Sequence, residues 1–273
     1  MASCTYGKTL LKVENVSLDY DGRPILKNVS AEIRDILRAD RTQGQVVGFL
    51  GPSGIGKTQL FRIIAGLNPP TSGRVAINGL DRPVRAGEVG VVAQNYPLFE
   101  HRTVLSNLLL AARQKEKDAK VAHDKVIQYL NDFELIDKAR LYPVQLSGGQ
   151  RQRVAIIQQI LCSDHFLLMD EPFSGLDLLM LERTTALIQQ VANMDELNTI
   201  IVVTHDVTAA ASVADHLWLM GRDHDANGNP MPGARIVETY DLIERDLCWN
   251  PGIITQSRFV EFVREVKDRF RSL

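Results

Sequence analysis

The chain has 273 residues, of which 45% are hydrophobic and 23% charged, as in an ordinary globular protein with one large α/β domain or two small ones. A net charge of −2 and a pI near 6.3 argue against a general nucleic-acid or polyanion binder. Cys4, Cys162 and Cys248 show neither metal-ligand spacing nor a disulfide framework, which predicts a reducing compartment. No apolar run approaches the ~20 residues that cross a bilayer, and no signal peptide is evident. We therefore expect a cytosolic chain that meets membranes only through a partner.

The first part of the chain predicts antiparallel strands. Residues 10–20 alternate loosely between apolar and polar side chains and turn at Asp21–Gly22, which predicts an edge strand and a hairpin. A charged stretch, residues 34–43 (RDILRADRTQ), interrupts what resembles a second hairpin. Asn78–Gly79 predicts the turn of a further hairpin, and a short strand follows at residues 89–93.

Within this region, residues 45–50 (QVVGFL) predict a short buried strand that runs straight into GPSGIGKT at residues 51–58. The segment fits the phosphate-loop pattern G-x-x-x-x-G-K-[ST]. Leu60, Ile64 and Leu67 then recur at helical spacing. The order of strand, glycine loop and helix is the context that a phosphate-binding loop requires.

The residue types of this loop are suited to binding a triphosphate. Glycines let the backbone wrap closely and aim its N–H groups inward, while the following helix presents its positive N-terminal end. Lys57 adds a positive charge over the β- and γ-phosphates, and the Thr58 hydroxyl is placed to ligate Mg²⁺. The predicted nucleotide contacts of this segment are Gly51, Pro52, Ser53, Gly54, Ile55, Gly56, Lys57, Thr58 and Gln59.

The second part of the chain predicts helices followed by buried parallel strands. Continuous apolar runs at residues 165–170 and 199–204 are typical of strands covered on both faces. The other predicted features are charged helices over residues 103–133, a helix at 148–161, a Gly/Asn/Pro-rich loop at 221–234 and an amphipathic helix at 257–270.

Asp170 and Glu171 follow directly after a buried strand. A carboxylate at this position emerges at the carboxyl edge of the sheet, where open α/β sheets bind ligands. We expect Asp170 to hold Mg²⁺ through water and Glu171 to polarise the attacking water. A solvated acidic pair at a strand end is the alternative interpretation of these two residues.

LSGGQ at residues 146–150 opens a predicted helix, with Ser147 as a suitable N-cap. A serine, two glycines and a helix N-terminus make a second anion cradle. One ATP could contact this cradle and the phosphate loop, either within one chain or across a dimer. A well-capped helix without a ligand is the alternative.

Together these segments resemble the nucleotide-binding subunits of ATP-binding cassette (ABC) transporters, over nearly the whole chain. The resemblance implies an α/β fold: a phosphate-loop NTPase with a RecA-like core, an antiparallel β subdomain and an inserted α-helical subdomain. It implies one nucleotide-binding domain over residues 1–273. Its expected parts are a β subdomain with the phosphate-loop core (9–94), a helical subdomain (95–160), further core (161–240) and a C-terminal helical extension (241–273).

The resemblance also implies roles for residues that carry little signal alone. Tyr20 resembles the aromatic residue that stacks on adenine, Gln94 the glutamine that senses Mg²⁺ and water, and His205 the histidine that contacts the γ-phosphate. Residues 174–177 (SGLD) resemble the loop through which two subunits communicate. The implied sets are Lys57, Gln94, Glu171 and His205 for catalysis, Thr58, Gln94 and Asp170 for Mg²⁺, and Ser147, Gly148, Gly149, Gln150 and Asp177 for nucleotide.

In that family, LSGGQ of one subunit closes on the ATP held by the phosphate loop of the other, in a head-to-tail dimer. The resemblance therefore implies an ATPase that couples ATP-driven dimerisation and hydrolysis to solute transport. The implied partners are a second copy, transmembrane permease subunits contacting residues 94–102 and the following helices, and a solute-binding protein acting through the permease, without nucleic acid. The implied location is the cytoplasmic face of the inner membrane.

Two other functions stay open on the sequence. The first is a soluble ABC-type ATPase that acts in DNA repair or translation. DNA-repair members of the class split the cassette around a very long coiled coil, and translation factors carry two cassettes, whereas this chain has one phosphate loop and one LSGGQ. An exporter of lipid, lipoprotein or drug is the second. A subunit without fused membrane segments favours import, and residues 170–177 and 241–249 faintly resemble importers of nitrate, sulfonate or taurine type.

Two segments depart from the family pattern, because residues 34–43 resemble an insertion and the loop at 221–234 is longer than expected. We interpret both as solvated surface loops, and contacts specific to the family are the alternative. The C-terminal helix carries an apolar stripe that we expect to pack on its own domain: Phe259, Phe262, Val263, Val266 and Phe270.

Overall fold

A computed structural model describes residues 4–38, 43–163, 165–250, 252–271 and 273. The strands in these residues are β1 Cys4–Tyr20, β2 Arg23–Arg38, β3 Gln45–Leu50, β4 Ser72–Ile77, β5 Gly90–Val92, β6 Phe166–Asp170, β7 Thr199–Thr204, β8 His216–His224 and β9 Pro230–Asp241. The α-helices are α1 Lys57–Ile64, α2 Val104–Lys115, α3 Ala119–Asp132, α4 Gly148–Cys162, α5 Leu178–Ala192, α6 Val207–Val213 and α7 Ser257–Arg271. In the described part of the chain, every helix is too short or too polar to cross a membrane.

All the strands join one sheet in the order β4-β1-β2-β9-β8-β3-β7-β6-β5. The half formed by β8, β3, β7, β6 and β5 is parallel, as the continuous apolar runs predicted. The other half is antiparallel in the pairs β1–β2, β1–β4 and β8–β9. Helices α2, α3 and α4 come between β5 and β6 along the chain. The predicted α/β class with antiparallel and helical additions is confirmed.

Two buried clusters lie on opposite faces of the sheet, and β3 contributes to both. Val46 and Leu50 belong to the cluster formed with α2 to α7, whereas Val47 and Phe49 belong to the cluster formed with β1, β2, β4 and α1. Alternate residues of a strand point to opposite faces, so the apolar side chains of β3 are buried on both faces, and Gln45 at its start is buried as well. The stripe of α7 packs into the first cluster: Phe259, Phe262, Val263 and Val266 are buried, and Phe270 is partly buried against them.

The prediction that charged residues interrupt the hairpin after residue 34 was wrong for residues 34–38. These residues extend β2, and their ladder with β1 includes Thr9–Arg34 and Cys4–Arg38. Since β1 begins at Cys4, well before residue 10, it supplies backbone partners that the local charge pattern does not indicate. Residues 39–42 of the proposed insertion lie outside the described residues.

The predicted long loop at residues 221–234 is also wrong, because most of it forms the β8–β9 hairpin. An ion pair between Asp223 and Arg235 joins the two strands at 2.6 Å. The turn is short, and Asp225 shapes it by accepting hydrogen bonds from the backbone N–H groups of Asn227 and Asn229. Polar residues on an exposed hairpin gave this strand pair the composition of a loop.

Asn78–Gly79 forms the expected tight turn, with the Leu80 N–H donating to the Ile77 carbonyl at 3.0 Å. No regular strand follows it among the described residues 79–89. One backbone hydrogen bond, from Val84 to Val75, replaces the predicted second strand.

A buried ion pair ties the ends of several strands to the C-terminal segment. Asp215 is fully buried and accepts hydrogen bonds from Arg38 at 2.5 Å, the Val46 N–H at 2.8 Å and the Trp249 indole at 2.6 Å. Removing one partner of a buried pair leaves the other charge without compensation.

We therefore expect Asp215→Ala to lower the free energy of unfolding by about 3–5 kcal/mol, measured by urea denaturation. Asp246→Ala is the matched control, since it removes the solvent-exposed ion pair with Arg258 and is expected to cost less than about 1 kcal/mol. Equal losses in the two variants would contradict the assignment of Asp215 as an anchor of the fold.

Candidate functional site

The glycine-rich loop connects the carboxyl end of β3 to the start of α1, as the sequence predicted. Gly54 and Gly56 have φ angles of 76° and 111°, a region that residues with a Cβ rarely adopt. Gly56 is the N-cap of α1, so the helix begins inside the motif and its first N–H groups face the loop. The loop therefore presents backbone donors and a helix N-terminus at one edge of the sheet, which is an arrangement suited to phosphate.

Lys57 folds back over this loop. Its Nζ donates hydrogen bonds to the carbonyl oxygens of Gly51 at 2.7 Å and Pro52 at 3.0 Å. Burial lowers the pKa of Lys57, while the negative charges of Glu171 and Asp170 act in the opposite direction. The ammonium group thus lies among the residues that the sequence assigned to phosphate and metal binding.

Asp170 is the last residue of β6 and is partly buried. Burial raises the pKa of Asp170, and so does the neighbouring Glu171, whereas Lys57 and Arg62 lower it. A nearby cation would favour the ionised carboxylate in the same way that Lys57 does.

Glu171 is held by the end of the neighbouring strand, β7. Its backbone has a φ of 49°, and its N–H donates to the Val203 carbonyl at 2.8 Å. One carboxylate oxygen accepts a hydrogen bond from the Thr204 hydroxyl at 2.9 Å, and the other lies 2.9 Å from Nδ1 of His205. The Glu171 carboxylate is mostly shielded from solvent, while His205 is largely exposed. Two predicted site residues thus meet directly.

Thr204 was missed by the sequence reasoning. It is fully buried at the end of β7, after four apolar residues, and its hydroxyl also accepts a hydrogen bond from the Asp206 N–H at 3.1 Å. The polar residue immediately before His205 was the available signal. Thr204 contacts Glu171 only because β6 lies beside β7, and the order of the strands along the chain does not reveal that these two are neighbours.

The remaining residues of the predicted pocket lie around the same edge. Tyr20, at the end of β1, is 45% exposed and donates its hydroxyl hydrogen to the side-chain oxygen of Gln59 at 2.9 Å. Gln94 is exposed in the turn after β5, whose Val92 pairs with Met169 of β6. The carboxyl ends of β3, β7, β6 and β5 therefore bring together the phosphate loop, His205, the two carboxylates and Gln94.

The LSGGQ segment forms a capped helix start. The Ser147 hydroxyl accepts a hydrogen bond from the Gln150 N–H at 3.3 Å, and the Gln150 side chain accepts one from the Ser147 N–H at 2.9 Å. A Cβ added to Gly148 or Gly149 would meet no atom within 4 Å, so this surface is open. The prediction that Ser147 is the N-cap of this helix is confirmed, and the backbone at Gly148 and Gly149 is not covered by other side chains.

A cavity of about 450 Å³ lies beside this helix start. Its lining includes Tyr96, residues 147–150, Leu176 and residues of α5, and none of the described residues 51–58. Asp177 caps α5 by accepting a hydrogen bond from the Met180 N–H at 2.8 Å. Within one chain, the two predicted phosphate cradles thus do not share this cavity.

The predicted Mg²⁺ ligands fit the preferences of that ion. Thr58, Asp170 and Gln94 would supply a hydroxyl, a carboxylate and an amide oxygen, and Mg²⁺ prefers oxygen ligands. In residues 4–38, 43–163, 165–250 and 252–271, no group of three or more His, Cys, Asp or Glu side chains is arranged to hold a metal. A protein site of few ligands suits a cation whose other ligands are phosphate oxygens and water.

The fold and this sheet edge define a phosphate-loop nucleotide-binding protein. The family model described as ABC transporter matches residues 35–174. The sulfate/thiosulfate import ATP-binding protein CysA of Pseudomonas syringae pv. tomato is 39% identical over 78% of this chain and 64% of its own length. The spermidine/putrescine import ATP-binding protein PotA of Spiroplasma citri is 36% identical over 95% of this chain and 70% of its own. This chain belongs to the ABC transporter family, in which it is an ATP-binding domain.

Solved structures agree with this assignment. An ATP-binding cassette determined as a dimer in a post-hydrolysis state, bound to ADP and Pi, superposes with a TM-score of 0.67 at 27% identity. The match covers 85% of this chain and 99% of that one. By contrast, the chain spans only about two thirds (64%) of the length of the Pseudomonas syringae CysA protein.

Proposed function

We propose that this chain binds and hydrolyses ATP as the energising subunit of an ABC transporter, and that the transporter imports a solute through separate membrane subunits. The observation that carries the proposal is the placement of the Glu171 carboxylate, which Thr204 and His205 hold beside Asp170 at the phosphate-loop edge of the sheet. A carboxylate fixed in this way next to a phosphate site is suited to orient water for attack on a phosphoryl group.

The chain's own residues would divide the work of hydrolysis. The loop N–H groups and Lys57 bind the phosphates, and Lys57 exchanges its carbonyl partners, Gly51 and Pro52, for phosphate oxygens. Glu171 accepts a hydrogen bond from the attacking water, while the exposed His205 reaches the terminal phosphate. Mg²⁺ held by Thr58, Asp170 and Gln94 would neutralise charge that develops on the phosphate oxygens.

Tyr20 would stack on the adenine ring, because it is exposed and its hydroxyl is already anchored to Gln59 of α1. Asp177 would take part in contacts between subunits. It follows Glu171 in a short loop in which the Ser174 N–H donates to the Glu171 carbonyl at 3.2 Å, so a contact at Asp177 would lie a few residues from the proposed catalytic carboxylate.

A second copy would complete the nucleotide site. The LSGGQ cradle is open to solvent and shares its cavity with none of the described residues 51–58, so its phosphate ligand would come from another subunit. The dimeric ADP- and Pi-bound relative supports this arrangement. ATP closes the dimer because its γ-phosphate contacts both copies, whereas ADP lacks that group, and the difference in binding drives reopening.

Residues 94–102 and α2 would contact the membrane subunits. Phe99 is 45% exposed, and the Arg102 guanidinium lies over its ring at 5.9 Å from the centroid. Buried Asn107 fixes this segment through hydrogen bonds with the backbone of Phe99, Arg102 and Thr103. An exposed aromatic residue on a rigid segment is suited to protein contact.

The names of the relatives support import, since both are import ATP-binding proteins. A position at the cytoplasmic face of the membrane and a solute-binding protein acting through the permease belong to the same proposal. CysA is named for sulfate and thiosulfate, and PotA for spermidine and putrescine. Because these solutes differ in charge and shape, we assign no substrate.

The dimer proposal is tested by Ser147→Asp. Aspartate is as good an N-cap as serine, so α4 keeps its stability, but the added negative charge repels a triphosphate. We expect the variant to melt within about 2 °C of the wild type. It should lose ATP-dependent dimerisation in analytical ultracentrifugation, with a loss of ATP turnover of about a hundredfold.

Thr103→Asp is the matched control. Thr103 caps α2 in the same way, by accepting a hydrogen bond from the Ser106 N–H at 3.2 Å, and it does not line the cavity beside the cradle. It should dimerise and turn over ATP like the wild type. Normal dimerisation of Ser147→Asp would overturn the shared-site model.

A further inference from the structure

The two oxygens of the Glu171 carboxylate have different environments. Oε2 accepts a hydrogen bond from the Thr204 hydroxyl at 2.9 Å, and Thr204 is fully buried. Oε1 lies 2.9 Å from Nδ1 of His205, whose side chain is 57% exposed. One oxygen is therefore bound on the inside of the sheet edge, whereas the other lies beside a side chain that reaches solvent.

The direction of the Thr204 hydroxyl is set by the backbone that follows it. The Asp206 N–H donates to Thr204 Oγ1 at 3.1 Å. A hydroxyl has one hydrogen, and because Oγ1 acts as the acceptor toward Asp206, that hydrogen is available for Glu171. Asp206 is itself the N-cap of α6, where its side chain accepts a hydrogen bond from the Ala209 N–H at 3.0 Å. The start of a helix thus orients the hydroxyl.

Strand β7 holds Glu171 at both its backbone and its side chain. The Glu171 N–H donates to the Val203 carbonyl at 2.8 Å, and the next residue of the strand, Thr204, binds the carboxylate. A hydrogen bond to an ionised carboxylate is stronger than one between neutral groups, and burial of the donor excludes water that would compete for it. These two attachments restrict rotation of the Glu171 side chain.

A carboxylate that is anchored through one oxygen has the other available for chemistry. A general base is effective only when its lone pair is aimed at the proton that it accepts, and a group that rotates freely loses much of this advantage. Thr204 engages Oε2, so Oε1 is the oxygen that becomes free when His205 turns toward the terminal phosphate.

We propose that Thr204 is a positioning residue for ATP hydrolysis: its buried hydroxyl holds Oε2 of Glu171, so that Oε1 is the oxygen that receives the attacking water. This role rests on the proposed function, because it concerns the same carboxylate. Thr204 is fully buried and acts through Glu171, not on the nucleotide. Its loss therefore slows the chemical step and leaves ATP binding intact.

The test is Thr204→Val, which keeps the branched shape of the side chain but removes the hydroxyl. It should lower kcat by about 10- to 100-fold and bind a non-hydrolysable triphosphate within about twofold of the wild type. Thr204→Ser keeps the hydroxyl and should restore kcat to within about threefold. Thr199→Val is the matched control, because Thr199 is also fully buried, at the opposite end of β7, and its hydroxyl donates to the Leu197 carbonyl at 3.3 Å. It should turn over ATP like the wild type.

A double-mutant cycle distinguishes positioning from a general structural role. In a Glu171→Gln background the carboxylate that Thr204 positions is absent, so adding Thr204→Val should change the residual turnover by less than about twofold. Thr204→Val alone should also accumulate an ATP-bound dimer in analytical ultracentrifugation, because binding is retained and hydrolysis is slow. An equal loss of turnover from Thr204→Val in both backgrounds would show that the hydroxyl does not act through Glu171.

The outcomes separate this role from the proposed function. If Glu171→Gln loses turnover but Thr204→Val keeps the wild-type kcat, the role of Thr204 is wrong and the proposed function stands. If Glu171→Gln keeps wild-type turnover, both are overturned. An equal loss of turnover in Thr199→Val would also contradict the positioning role. Melting temperatures verify folding, and Thr204→Ala, which also lacks the hydroxyl, takes the place of Thr204→Val in the same assays if the valine variant does not fold.

Discussion

We expect Glu171→Gln to bind ATP with an affinity within about twofold of the wild type and to lose ATP turnover by about a hundredfold or more. Glutamine has the shape of glutamate and keeps an oxygen that can accept the Thr204 hydroxyl hydrogen bond. It lacks the negative charge, and one of its two terminal atoms becomes a donor. The variant therefore keeps the geometry of the site but cannot act as the base that orients and polarises water.

The same variant should accumulate as an ATP-bound dimer, because dimer closure depends on ATP binding and reopening depends on hydrolysis. Single-turnover hydrolysis and analytical ultracentrifugation with ATP and Mg²⁺ measure the two effects separately. Glu261→Gln, on the exposed side of α7, is the matched control and should behave like the wild type in both assays. Turnover near the wild-type rate in Glu171→Gln would remove Glu171 from its proposed role.

The second large effect is expected at Lys57, where replacement by Met should weaken ATP binding by about 10- to 100-fold. The Lys57 ammonium is buried at the loop, and the charges of Asp170 and Glu171 favour its protonated form. Methionine keeps most of the side-chain volume but removes the charge-assisted hydrogen bonds to phosphate. Isothermal titration calorimetry with a non-hydrolysable triphosphate measures the loss without interference from turnover.

The Lys57 substitution also removes two hydrogen bonds to the loop carbonyls, so folding needs its own control. Thermal unfolding without nucleotide reports the stability of the variant, and Lys125→Met on the exposed face of α3 controls for the loss of one lysine. Lys57→Met is expected to lower the affinity for ATP, whereas Glu171→Gln is expected to lower the rate of ATP turnover. The two variants therefore distinguish phosphate binding from catalysis of hydrolysis. Wild-type affinity in a folded Lys57→Met protein would contradict the proposed contact.

The sequence predicted those features that depend on neighbouring residues. The strand, glycine loop and helix at β3 and α1 follow from local backbone preferences, and the cap of α4 joins residues only three positions apart. The buried strands β6 and β7 were evident from uninterrupted apolar runs. Family motifs added the α/β class, which the structure confirms.

Local composition misled the interpretation of two exposed segments. Residues 34–38 and 221–234 contain the charged, Gly, Asn and Pro residues of loops, but most of them belong to strands. Their strand structure depends on partners, β1 in one case and the other arm of the hairpin in the second, and a strand on the protein surface can be polar wherever its backbone is paired.

Contacts between distant positions required the fold. His205 and Glu171 are 34 positions apart, and Arg38 and Asp215 are 177 apart, yet each pair forms a direct contact. A motif is contiguous in the chain, so the sequence alone predicts which chemical groups a site contains. The order of the strands in the sheet decides which distant side chains contact those groups and hold them in place.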